Sequence, residues 1–119
     1  MSALVVRKPA DWTLDSLRER LVPPLARAGV VRAIAFGSYA RGTADGFSDL
    51  DLVVVLETER PRFERASLLD EVFRAVPIGI DLLVFTPAEF EAGCRDGAGI
   101  FDAIVREGVT LYERSRDTA

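Results

Sequence analysis

The stretch that most constrains this chain is 37–51, Gly-Ser-Tyr-Ala-Arg-Gly-Thr-Ala-Asp-Gly-Phe-Ser-Asp-Leu-Asp, because apolar runs at 30–36 and 52–56 bracket it. That order predicts a strand, a small-residue turn or short helix, and a second strand opening with carboxylates at alternate positions. Side chains alternate between the two faces of a strand. Asp49 and Asp51 therefore project from one face, beside a run that is otherwise buried. Two like charges placed there repel, and desolvating them without a partner is costly. The chain offers no histidine and a single lysine, Lys8, as neighbours. A divalent cation would answer both problems, although an alternating Asp pair is also common on the solvated face of a strand.

The rest of the sequence reads as helices alternating with strands, without repeats or low-complexity linkers, and is treated as one domain over 1–119. A first helix is expected over 13–22, capped by Thr13 and interrupted by Pro23 and Pro24, with a brief resumption over 25–28 that Gly29 closes. Strands are expected over 30–36 and 49–56. Pro61 fits the start of a helix whose Leu69, Val72, Phe73 and Val76 recur at helical spacing, and Pro77 and Gly79 end it. A third strand over 80–85 runs into Thr86-Pro87-Ala88-Glu89, a capping-box sequence. Gly97 and Gly99 break the next helix, another follows over 100–107 with Gly108 as its stop, and 109–112 is a short last strand. Residues 114–119 are expected to fray. The pattern gives an α+β fold of mixed α/β layers, a mixed sheet packed by helices, with the first two strands antiparallel across their short link.

Charge and cysteine content narrow the function. A net charge of −4 argues against a nucleic-acid footprint, which needs clustered positive charge. Cys94 is the lone cysteine, so no internal disulfide forms, and without histidine to activate it the thiol reads as a small, partly buried core residue. Uninterrupted apolar runs reach only about five residues, against the roughly 20 needed to span a bilayer. Residues 1–10 lack the apolar core of a signal peptide. The expected location is cytoplasmic, with no membrane association.

Three carboxylates stand at strand positions: Asp49, Asp51 and, on the third strand, Asp81. If the second and third strands are neighbours, Asp81 lies across from the pair and completes an all-oxygen cluster of the kind magnesium prefers. Magnesium keeps several waters and binds through carboxylates together with substrate phosphates, which points to a nucleoside triphosphate as the second component. Gly37 lets backbone N–H groups approach an anion closely, Ser38 offers a hydroxyl, and Arg41, three residues on, can reach a phosphate oxygen or a carboxylate. Each feature also has a plainer reading: Gly-Ser as a turn, Asp81 as a strand-edge charge or a partner of an arginine such as Arg32, Arg41 as a helix-surface residue. The joint pattern outweighs its parts.

That pattern, Gly37-Ser38, ten intervening residues, then Asp49-Leu50-Asp51, resembles the nucleotidyltransferase superfamily typified by DNA polymerase beta, and above all its minimal nucleotidyltransferases with their G-S-x10-D-x-D signature. Phe36, Ala40-Arg41-Gly42 and Ser48 agree with the same pattern. Ile80-Asp81-Leu82-Leu83 looks like the strand carrying the third carboxylate, and residues 106–112 like the helix-to-strand ending. The resemblance implies a polymerase-beta-like fold. It also implies magnesium-dependent transfer of AMP from ATP, with two ions held by Asp49, Asp51 and Asp81, and the β- and γ-phosphates held around Gly37 and Ser38. Family members of this size occur with a helical HEPN-domain toxin, and act as antitoxins by adding AMP to a tyrosine hydroxyl of that partner. Three alternatives stay open: an aminoglycoside-type nucleotidyltransferase subunit, an antitoxin that acts by binding alone, and a structural scaffold.

Overall fold

The computed structural model describes residues 11–115. Helix α1, Leu14–Arg27, starts at a capping box in which the Ser16 amide donates to Thr13 Oγ1 at 3.1 Å and the Thr13 amide donates to Ser16 Oγ at 2.8 Å. Pro23 and Pro24 lie inside this helix rather than interrupting it. Each removes one backbone donor, at about 3 kcal/mol in an isolated helix. Burial of Leu17, Leu21, Pro24 and Leu25 against the sheet offsets that at roughly 1.5–3 kcal/mol per large side chain. Gly29, at φ 78°, ends the helix with its amide on Ala26 and the Val30 amide on Leu25, both carbonyl acceptors, a Schellman-type close.

Strand β1 is Arg32–Phe36, shorter than expected from 30–36, and leads through Gly37 into a single-turn helix α2, Ser38–Arg41. Strand β2 is Leu50–Val55, so Asp49 stands one residue before it instead of inside it. The segment after Pro61 begins as a 3-10 helix, Arg62–Leu69, and becomes α-helical only over α3, Asp70–Arg74. Strand β3, Ile80–Phe85, matches its expected limits. Helix α4, Pro87–Asp96, has the expected capping box, with the Thr86 amide donating to Glu89 Oε1 at 2.9 Å and the Glu89 amide to Thr86 Oγ1 at 3.2 Å. Helix α5, Ile100–Glu107, stops at Gly108 before β4, Val109–Glu113. The expected fraying does not reach Arg114, whose amide donates to the Val31 carbonyl at 2.9 Å. The rest of that tail, 116–119, and the opening ten residues lie outside the described residues.

The four strands form one mixed sheet in the order β3-β2-β1-β4, with β1 antiparallel to β2 and β4, and β2 parallel to β3. One face carries Ala33, Ala35, Leu50, Leu52, Val54 and Leu111 against α1 and α3; the other carries Ile34, Val53 and Phe85 against α4 and α5. The alternation places Asp51 with Val53, and Asp81 with Leu83 and Phe85, on the α4/α5 face. Away from the site, buried Arg65 ties the 3-10 helix to the sheet by donating to the Arg60 and Val84 carbonyls and to Glu89.

Candidate active site

The C-terminal end of β1 and the N-terminal ends of β2 and β3 meet at one edge of the sheet, because β1 is antiparallel to β2 while β2 and β3 are parallel. Gly37 makes the turn there at φ 75°. Glycine is needed twice over: a side chain would be strained in that conformation, and its Cβ would overlap the Asp51 carboxylate. After α2, the loop is drawn back by Asp45 and Ser48. The Asp45 amide donates to Ser48 Oγ at 2.9 Å and the Phe47 amide to Asp45 Oδ1 at 2.9 Å, an Asx-turn arrangement that delivers the chain to Asp49.

Asp51 and Asp81 are register partners on the parallel strands β2 and β3, with Phe36 opposite Asp51 on β1. Partial burial pushes the Asp51 carboxyl above the ordinary carboxylate range, and the charges of Asp81 and Asp49 and a side-chain hydrogen bond with Asp81 push in the same direction. Arg41 opposes them weakly. Asp49 is exposed and sets its carboxylate against the backbone at Gly79, where a Cβ would overlap Oδ1, while the Leu50 amide donates to the Gly79 carbonyl at 2.9 Å. Among the described residues no three acidic, histidine or cysteine side chains close into a ready metal cage. The pair of Asp51 and Asp81, with Asp49 alongside, is an open, all-oxygen set with excess negative charge. Such a donor set fits a hard cation that completes its shell with water and substrate phosphates.

Arg41 does not stand over the carboxylates. Its Nη1 donates to Glu107 Oε1 at 3.0 Å, and the same oxygen accepts the Gly37 backbone N–H at 3.3 Å. Arg32 is engaged on the opposite edge of β1, donating to Thr110 Oγ1 at 3.2 Å and lying near Glu113, so it is not the partner of Asp81. Two site residues escaped the sequence reading. Gly79 reads there only as a helix stop, although its position two residues before Asp81 is a usable sign of close backbone approach. Glu107 figures there only as the end of the helix over 100–107, and its one signal is an acid in the last turn, where the helix dipole disfavours it. Tyr39, the buried residue of α2, has its phenol pushed up by burial and by the carboxylates of Asp11, Asp45 and Asp49.

The Gly37 turn thus meets the in-register pair Asp51 and Asp81 at one end of the mixed sheet. The model of the family described as "Nucleotidyltransferase domain" matches residues 14–116, and the chain belongs to that family. A curated protein of Methanocaldococcus jannaschii, "Putative protein adenylyltransferase MJ0435", is 28% identical over 72 residues, covering 60% of this chain and 77% of that protein. Among solved structures, a toxin–antitoxin crystal structure with AMP-PNP superposes with a TM-score of 0.59 at 20% identity, covering 84% of this chain and 76% of its counterpart. A complex of tri-AMPylated Shewanella oneidensis HEPN toxin with MNT antitoxin gives a TM-score of 0.55 at 18% identity, covering 88% and 76%. The fold is thus the polymerase-beta-like one that the signature implied. Among the described residues no helix is long and apolar enough to cross a membrane.

Proposed function

We propose that this chain transfers AMP from ATP to a tyrosine hydroxyl of a HEPN-domain toxin and so acts as the antitoxin of a toxin–antitoxin pair. The observation that carries the reading is the in-register pairing of Asp51 with Asp81 directly beside the Gly37 turn. Family membership supports nucleotidyl transfer, and the adenylyltransferase relative and the toxin–antitoxin neighbours support the choice of AMP and of a protein acceptor.

In this reading the acceptor oxygen attacks the α-phosphorus, the bond from that phosphorus to the bridging oxygen breaks, and pyrophosphate leaves. Magnesium, two ions in this proposal, supplies charge neutralisation on the phosphates and on the attacking oxygen. Asp49, Asp51 and Asp81 hold it. Asp81, exposed on β3, faces the incoming hydroxyl and helps take its proton. Gly37, Ser38 and Arg41 bind the β- and γ-phosphates. The test is to incubate the chain with a HEPN-domain protein, magnesium and α-labelled ATP, then map label and mass on that protein. AMP on a tyrosine of the toxin supports the proposal. Tight complex formation without label would leave binding alone as the antitoxin activity, and label on an aminoglycoside would assign the small-molecule reaction.

A further inference from the structure

The donors assigned above to the triphosphate already hold an anion of the protein's own. One oxygen of Glu107 takes both the Gly37 N–H, at 3.3 Å, and Arg41 Nη1, at 3.0 Å. A carboxylate oxygen and a phosphate oxygen are equivalent acceptors for an amide and a guanidinium. They cannot share these two donors, because like charges at that separation repel. The placement of Glu107 is not explained by its own helix. It is the last residue of α5, where the negative end of the helix dipole disfavours an acid, and its carboxylate accepts across to the Gly37 turn and α2.

We propose that Glu107 is an internal competitor for the phosphate subsite, displaced from Gly37 and Arg41 when a triphosphate binds; the inference rests on the assignment of those two residues to the phosphates. Displacement is feasible because the pair is partly solvated, with the Arg41 side chain 50% and the Glu107 side chain 30% exposed. Ion pairs of that exposure are weak. Arg41 then swings from the carboxylate to a phosphate without losing a charged partner, and the released Glu107 end of α5 becomes a nucleotide-sensitive element next to β4. The competent, uncovered state is the minor one in the free protein, and apparent affinity falls by its population. Removing the competitor raises affinity for phosphates by roughly 3- to 10-fold.

The experiment is calorimetric titration of wild type, Glu107→Gln and Glu107→Ala with α,β-methylene-ATP in magnesium, and separately with inorganic tripolyphosphate, with thermal melts to verify folding. Both variants binding both probes roughly 3- to 10-fold tighter than wild type supports the proposal. Unchanged or weaker binding by variants that fold, with wild type still binding, overturns it and makes Glu107 a support for Arg41. Tighter binding of the nucleotide analogue but not of tripolyphosphate overturns it as well, since the effect would then lie away from the phosphates. Failure of all three proteins to bind either probe removes the phosphate assignment of Gly37 and Arg41 itself.

Discussion

Replacing Asp51 with asparagine separates a charge kept for chemistry from a charge kept for folding. The side chains are isosteric, and Asp51 is a partly buried carboxyl whose ionised form is disfavoured by burial, by Asp81 and by Asp49. Without a cation, removing that charge leaves stability unchanged or raises it by up to about 1 kcal/mol. For a chain of 119 residues the melting entropy converts 1 kcal/mol into about 4 °C. The metal-free variant is thus expected to melt between 0 and about 4 °C above wild type. Ligand linkage reverses the order. At concentrations of magnesium and α,β-methylene-ATP tenfold above the dissociation constant, wild type gains about 1.4 kcal/mol, or about 6 °C. Asp51→Asn, lacking the paired carboxylate, is expected to gain less than about 1 °C and to show transfer activity reduced by at least roughly 10³-fold. Scanning fluorimetry with and without the ligands, beside a labelled-ATP assay, measures all three. A variant that melts more than 8 °C below wild type without ligand would make Asp51 a structural residue, and a full ligand-induced shift in the variant would sink the metal assignment.

Further predictions concern neighbouring residues. Gly79→Ala has no backbone strain, because Gly79 is not among the positive-φ glycines, but its Cβ would overlap Asp49 Oδ1; stability is expected to change by less than about 1 kcal/mol while transfer falls at least tenfold, and wild-type kinetics would show that the position of Asp49 is unimportant. Arg65→Met removes the donors to the Val84 carbonyl and to Glu89, and is expected to cost about 3 kcal/mol in chemical denaturation; a midpoint within error of wild type would refute this role. The acid limb of stability follows from Glu89, whose pKa is lowered from 4.5 to about 2, first by its hydrogen bond from Arg65 and then by the Thr86 amide. A folded-state value below the unfolded one means that the native state binds the proton less tightly, so the contribution is complete above about pH 4.5 and is lost as pH falls through about 2. Wild type should lose stability over that window more steeply than Arg65→Met, and parallel pH curves would contradict the assignment.

What could be read ahead of the structure divides along the range of the interactions involved. The third strand, the Thr86-Glu89 box, and the glycine stops at Gly29, Gly97 and Gly108 were legible because a few adjacent residues determine each. Asp51 and Asp81 could be paired in advance because strand periodicity fixes their faces and a single assumption, adjacency of β2 and β3, supplies the rest. The continuation of α1 through Pro23 and Pro24 was not legible. Local chemistry disfavours it, and only the burial of Leu21, Pro24 and Leu25 under the sheet reverses the balance. Glu107 was invisible for the same reason in stronger form. Its meaning lies in a contact with Arg41 across 66 positions of sequence, made when α5 packs over the face that carries Asp51 and Asp81. A residue whose own helix disfavours its charge is held by another element, and in this chain that element is the turn assigned to the phosphates. The mismatch between Glu107 and the helix dipole is therefore information about the site, since relieving it requires either the Gly37 and Arg41 donors or release into solvent when a stronger anion claims them.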